Sequence, residues 1–368
     1  MKVLLTVASF APSYGGPAVS VSRLAAAIAS IGGKVGLWAP DGSALVSPVV
    51  RESAAHAPGH AITCLPAKLG HALNVFGRPD ICHDNGVWLP YCHALANAAS
   101  RDRIPRVVST RGMLEPWAFN YKWLKKRLAW RLYQCRDIAR AALLHATSQS
   151  EADSLERLGF DVPVTIAPNG MDLPPPLPRG SKGGRTRTLL FLSRVHPKKG
   201  LPLLVDAFAK LKPSGWRVVI AGPDELGHTA EVKALASSRG VGAAFDFVGP
   251  HYGSAKVELF AGADVFIQPT HSENFGMAVA EALSYGLPVL TTRGAPWKEL
   301  ETERCGWWVD PNADGIFEGL SKATSSSKIE LQQMGDRGRT LISSRYCWEN
   351  VSATIMSAYS ATVDRHST

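Results

Sequence analysis

The sequence predicts an α/β protein of two doubly wound, Rossmann-like domains facing each other across a cleft. Three observations carry this. Short aliphatic and β-branched runs alternate with helical patterns along nearly the whole chain, the rhythm of parallel sheets covered by helices on both faces. The rhythm restarts near residue 187, after PPPLPRGSKGG (174–184), a stretch too rich in Pro and Gly to pack well. The 368 residues, 45% of them hydrophobic, supply enough apolar material for two cores.

In the first half, KVLLTVA (2–8) reads as a buried strand rather than a signal peptide, because it lacks a charged leading region. Gly15-Gly16 follows, then a helix opening at Pro17, a residue suited to the first helical position, and ending at Gly32-Gly33. Further strands fit 34–39, 61–66, 80–83, 106–110, 142–146 and 163–167. Helices fit near 88–100, 116–140 and 149–158, the last with Ser148 and Glu151 spaced as a capping box. In the second half, strands fit 187–193, 216–221, 244–248, 264–268, 287–292 and 305–309. Helices fit 200–211, 227–239, 253–262, 276–285, 312–324 and 328–342. The segment 346–363 is helical by pattern, and periodicity leaves open which domain it joins. The division is therefore a domain at 1–173, a linker at 174–185, a domain at 186–345 and a terminal segment at 346–368.

Forty Lys and Arg against 31 Asp and Glu give a net charge of +9, compatible with nucleic acid, an anionic membrane surface or a phosphorylated substrate. Six scattered cysteines without a Cys-x-x-Cys pair argue against structural zinc and a disulfide framework, and for a reducing, cytoplasmic compartment. No run of about 18 uncharged apolar residues offers a transmembrane helix. The chain has no G-x-G-x-x-G, no G-x-x-x-x-G-K-[ST] and no G-x-S-x-G. Dinucleotide enzymes, P-loop NTPases and α/β-hydrolases are disfavoured accordingly. No Asp-x-Asp occurs, so a divalent metal on a diphosphate lacks an obvious carboxylate pair, and no metal or organic cofactor is expected.

Ligands of parallel sheets sit beyond the carboxyl ends of the strands. The richest such loop is Pro269-Thr270-His271-Ser272-Glu273-Asn274-Phe275-Gly276-Met277, running into a helix that holds Glu281. A helix start near Gly276 offers outward amides and a favourable dipole to an anion. Glu273 and Glu281, with seven residues between them, either line a wall that binds a sugar and a ribose or serve as a cap and a solvated helix residue. Arg194 and Lys199 in SRVHPKKG (193–200) offer a planar fork and a point charge to a diphosphate, or form a solvated turn. Gly15-Gly16 sits in the matching place of the first half. In YKWLKKRLAWRLYQCRDIAR (121–140), seven basic residues face one acid, with Leu124, Leu128 and Leu132 every fourth residue. This is either a helix lying on an anionic membrane or a core-facing leucine stripe with a solvated basic back.

Glu273-(x7)-Glu281 within HSENFGMAVAEALSYGLPVLTT resembles the signature of family-4 retaining glycosyltransferases of the GT-B fold. SRVHPKKG, the Gly15-Gly16 loop, STRGMLEPWAF (109–119), HATSQSEADSL (145–155), PNGMD (168–172) and GAPWKELETERCGWWV (294–309) extend the resemblance toward bacterial members that build surface polysaccharides, lipopolysaccharide included. It implies a retaining, metal-independent hexosyltransferase. The donor would be a nucleoside-diphosphate sugar, and the acceptor a saccharide on a lipid carrier. It also implies a cytoplasmic enzyme at the inner face of the plasma membrane, with an acceptor domain first and a donor domain second. Arg194 and Lys199 would grip the diphosphate, Glu281 the ribose and Glu273 the transferred sugar. Asn274 and the backbone at Phe275, Gly276 and Met277 would lie along the donor, with Gly15 and Gly16 on its other side. The terminal helix would cross back onto the first domain.

Where many relatives carry a His near the donor sugar, this chain has Arg111, which does not act as a base near neutral pH. Arg111, Trp117, His145 and His271 are the remaining candidates near the acceptor, each histidine also reading as a structural one. Competing functions are a sugar phosphorylase or other sugar-phosphate enzyme on the same scaffold, and a basic nucleic-acid-binding module. No nucleic-acid motif supports the last, and nucleic acid is not expected as a partner.

Overall fold

A computed structural model describes residues 1–57, 59, 61–115, 123–176 and 186–367. The chain forms two compact units, Met1–Gly170 with Trp348–Thr368, and Met171–Cys347. In the first, seven strands pair in the order β3-β2-β1-β4-β5-β6-β7. They are β1 (Lys2–Val7), β2 (Lys34–Trp38), β3 (Ile62–Cys64), β4 (Ile81–Asn85), β5 (Arg106–Ser109), β6 (Leu143–Ala146) and β7 (Val164–Ile166). The second has the order β10-β9-β8-β11-β12-β13. Its strands are β8 (Arg187–Leu192), β9 (Trp216–Ala221), β10 (Phe245–Gly249), β11 (Val265–Gln268), β12 (Val289–Thr292) and β13 (Gly306–Val309). Every pairing in both sheets is parallel.

Burial explains the strand sequences. A parallel strand covered on both faces needs an unbroken apolar run, and Val3, Leu4, Leu5 and Val7 of β1 are all fully buried. The helix Gly16–Ser30 follows; its Val21, Leu24, Ala25 and Ile28 lie in one cluster with Val3, Leu5 and Val7. The terminal helix Trp348–Ser367 packs beside it and adds Ile355 and Tyr359 to that cluster.

The structure departs from the sequence pattern in three places. The units divide at Gly170–Met171 and Cys347–Trp348 rather than at 173 and 346. There the Met171 N–H donates to Tyr346 O at 2.7 Å, and Met171 bridges Cys347, holding both segments in the second unit. Residues 177–185 of the expected linker lie outside the described residues. The Ser148 hydroxyl accepts from the Glu151 amide at 3.2 Å, but the Glu151 carboxylate turns to Thr147, so that capping box is half made. A full one occurs at Ser327 and Glu330. Finally, the stretches 40–60 and 68–79, to which the sequence pattern assigns no strand or helix, hold helices Pro48–Ala54 and Leu69–Phe76. Ser47 caps the first ahead of a Pro at its start, and Ala72 and Phe76 anchor the second against Trp38 and Leu65.

Candidate functional site

In the second unit the strand order reverses between β8 and β11, the topological switch where open parallel sheets take their ligands. The loops leaving these two strands touch through backbone. The His271 N–H donates to Lys198 O at 2.9 Å, and a Cβ on Gly200 would lie 2.0 Å from Pro269 O. Gly200 also has φ +69°, so both space and conformation require glycine there. This contact places the Lys199 Nζ 2.5 Å from Glu273 Oε1, with the two side chains only 11% and 15% exposed. The same Oε1 accepts from Gln268 Nε2 and the Thr270 hydroxyl, both at 2.9 Å. The Glu273 N–H donates to Gly294 O at 2.7 Å, tying in the loop after β12. Three loops thus meet at Glu273, two of them at its carboxylate.

Beyond Glu273 the chain passes half-buried Asn274 and buried Phe275, whose carbonyl accepts the Trp297 indole N–H at 2.5 Å. The Phe275 ring packs against Trp297 and Tyr346. Gly276 takes φ +83° with Trp297 beside it, and the helix Met277–Ser284 begins. Its first-turn amides point away from the helix body. Arg194 and Glu281 do not join this cluster. Arg194 is exposed and bonded to Glu225 at 2.9 and 3.0 Å, and Glu281 is paired with Lys256 on helix Gly253–Gly262. His271 is exposed. Sequence reasoning gave no role to Gln268, Thr270, Glu225, Lys256 or Trp297, for no spacing rule marks a polar residue at a strand's end, or a side chain in another loop or helix, as a partner of these residues.

In the first unit the switch lies between β1 and β4. Gly15 has φ +78° with nothing within 4 Å of a would-be Cβ, so its glycine serves backbone conformation alone. After β4, Trp88 adopts φ +77°, a region that costs a bulky residue about 1–3 kcal/mol. Gln134 and Tyr133 hold it there. The Trp88 N–H donates to Gln134 Oε1 and the Tyr133 hydroxyl to Trp88 O, each at 2.6 Å. Its indole N–H donates to Met113 O at 3.2 Å. Nothing in the sequence singled out Trp88.

Arg111, also at positive φ, donates to Asn85 Oδ1 at 2.5 and 3.2 Å and to Asn169 Oδ1 at 2.7 Å. Desolvation lowers its pKa to about 10 against the opposing pull of Glu151 and Tyr359, so it remains a cation. Buried Glu151 accepts from Thr110 Oγ1 (2.7 Å), Gly112 N (2.6 Å), Thr147 N (2.8 Å) and Thr147 Oγ1 (2.9 Å), joining the loops after β5 and β6.

His145 is buried in a directed chain. Its Nε2–H donates to Ala167 O at 2.7 Å, so its Nδ1 accepts from His83 Nε2–H at 3.3 Å. His83 Nδ1 in turn accepts from the Tyr359 hydroxyl at 2.5 Å, a proton assignment that follows from the direction of the chain. Burial first pushes both imidazoles below the ordinary histidine range; at His83 the neighbouring His145 and Arg111 add to this, and at His145, lowered to about 4, Arg111 does. Neutral and enclosed, His145 braces the sheet. Trp117 lies outside the described residues. Among the described residues no group of three or more His, Cys, Asp or Glu is placed to hold a metal ion.

This architecture is that of solved two-domain GT-B proteins. HepE of Anabaena, solved in complex with UDP and glucose, superposes with a TM-score of 0.76 at 18% identity over 98% of this chain and 100% of that one. Sucrose-phosphate synthase of Thermosynechococcus elongatus gives 0.76 at 17% identity over 99% and 100%. At these identities the likeness shows the fold. Residues 14–174 match the model of Glycosyltransferase Family 4 and residues 179–341 that of Glycosyl transferases group 1, and the chain belongs to this glycosyltransferase family. D-inositol 3-phosphate glycosyltransferase of Arthrobacter sp. (strain FB24) is 29% identical over 221 residues, 55% of this chain and 51% of that protein. The chain spans about half the length of the curated relatives it matches.

Proposed function

We propose that this protein is a retaining, metal-independent hexosyltransferase that moves a sugar from a nucleoside-diphosphate sugar to a lipid-linked saccharide in cell-surface polysaccharide synthesis. The observation that carries it is the Lys199–Glu273 pair beside the amides that open helix Met277–Ser284. The ammonium has three N–H bonds and directs one to Glu273, leaving two to turn toward a diphosphate. Glu273 receives its three donors on Oε1, which leaves Oε2 for a sugar hydroxyl. HepE of Anabaena, solved with UDP and glucose and also with UDP-glucose, supports a nucleotide-sugar donor.

In this reading the bond from sugar C1 to the diphosphate oxygen breaks, and the leaving group gains negative charge. Lys199 and the outward amides stabilise that charge more in the transition state than in the bound donor, which is what lowers the barrier. The acceptor hydroxyl attacks from the face the diphosphate leaves, and its proton passes to the departing phosphate oxygen. No side-chain base is then required, in keeping with Arg111 being bound to two asparagines and His145 enclosed. Arg194 and Glu281, released from Glu225 and Lys256, are the further diphosphate and ribose contacts.

A thermal-shift panel of nucleotide sugars tests the reading. One donor should stabilise the wild type, and the shift should vanish in Lys199→Ala and shrink in Glu273→Ala. Indifference of the wild type to every nucleotide sugar, or a covalent glycosyl–enzyme adduct in turnover, would refute it.

A further inference from the structure

The segment Trp123–Ala129, continued through a π-helical turn Trp130–Gln134 into Cys135–Ala139, settles which face carries its leucines. Trp130 and Ile138 belong to the apolar cluster of Val108, Leu144 and Leu155. Gln134 holds Trp88, and Asp137 accepts from His93 Nδ1 at 2.8 Å. Those residues form the inner face. Leu124, Leu128 and Leu132 are 66%, 61% and 64% exposed. Four-residue steps drift by about 40° each on a regular α-helix. The wider π turn Trp130–Gln134, which contains Leu132, winds less per residue and reduces that drift, so the three leucines stay on the side opposite the inner face. Lys125, Arg127, Arg131, Arg136 and Arg140 are exposed on the same segment, whereas its one acid, Asp137, is buried.

Single exposed leucines are ordinary; three on one side beside cations are not. We propose that this face docks on an anionic lipid bilayer, with Leu124, Leu128 and Leu132 at the acyl boundary and Lys125, Arg131 and Arg136 on anionic headgroups. A second copy of the same face would bring like charges together without an acid to meet them, and a nucleic acid would leave the leucines in water. The proposal does not depend on the glycosyl-transfer reading.

Co-sedimentation of the whole chain tests it, using vesicles of phosphatidylcholine and of phosphatidylcholine mixed with phosphatidylglycerol. The wild type should sediment with the mixed vesicles only. Each basic side chain near the surface contributes about fivefold, so the triple variant Lys125→Glu/Arg131→Glu/Arg136→Glu should bind at least ~100-fold more weakly. Leu124→Gln/Leu128→Gln/Leu132→Gln should lose most of the remaining, salt-resistant binding. The substituted side chains are exposed, so both variants should keep the wild-type unfolding temperature and its shift with donor. Failure of the wild type to bind mixed vesicles, equal binding by all three proteins, or a wild-type dimer that the leucine variant abolishes would each overturn the proposal.

Discussion

Lys199 Nζ lies 2.5 Å from Glu273 Oε1, so the cation assigned to the diphosphate and the carboxylate assigned to the sugar form one hydrogen-bonded unit. On the proposed mechanism, removing Lys199 takes away leaving-group stabilisation, and it strands a shielded carboxylate on Gln268 and Thr270. For Lys199→Ala, kcat/KM should fall by a factor of about 100 or more, ~3 kcal/mol, by analogy with loss of one oxyanion-hole donor. Because the pair shares its desolvation cost, Lys199→Met/Glu273→Gln should be more stable than the sum of its single variants. Steady-state kinetics and a urea double-mutant cycle check these outcomes.

Gly200 sets the distance between the loops that carry this pair. An alanine there combines φ +69° with a Cβ 2.0 Å from Pro269 O. Gly200→Ala should destabilise the second unit by roughly 2 kcal/mol or more and weaken the donor's thermal shift. Gly15→Ala, at φ +78° with open space around it, should cost less, about 1 kcal/mol. Urea unfolding of both variants decides it.

Tyr359 on the terminal helix is fully buried, with its hydroxyl on His83. Tyr359→Phe keeps the ring and leaves His83 Nδ1 without its donor. The expected loss is about 1–3 kcal/mol in urea unfolding. An unchanged midpoint would mean the contact contributes no net stability.

The buried histidines also give stability a pH dependence. His83 and His145 have folded-state pKa values below the unfolded 6.5, so their contribution is present above pH 6.5 and is lost as pH falls. The slope reaches about 1.4 kcal/mol per pH unit for each. Asp84, raised to about 6 chiefly by burial, acts oppositely; its contribution is present below pH 4 and is lost as pH rises through 6. Two histidines outweigh one aspartate, so the urea midpoint should drop between pH 6.5 and 5. Asp84→Asn should steepen that drop, and His83→Gln/His145→Gln should flatten it.

If charge neutralisation rests on Lys199 and backbone amides, turnover should persist in excess EDTA. Activity lost to the chelator and restored by magnesium would remove the metal-free mechanism.

The carboxyl ends of strands and the starts of helices were legible because each leaves a local mark. Lys199, Glu273 and Gly276 stand in loops after apolar runs, next to residues that open helices. Trp88, Gln134, Gln268 and Trp297 left no such mark. Each matters through a partner more than twenty residues away or through a side chain at the end of a buried strand. Arg194 and Glu281 were legible as charges, but their partners Glu225 and Lys256 belong to other loops and helices.

The amino-acid order alone determined two parallel-sheet domains, their strands and helices and the loops that carry the charges, because hydrophobic period and turn chemistry act over a few residues. Tertiary structure alone decided that Lys199 meets Glu273, that His145 is enclosed behind His83 and Tyr359, and that Leu124, Leu128 and Leu132 face outward. An amphipathic pattern specifies that two faces differ; which one is covered depends on the side chains, distant in sequence, that pack against the helix.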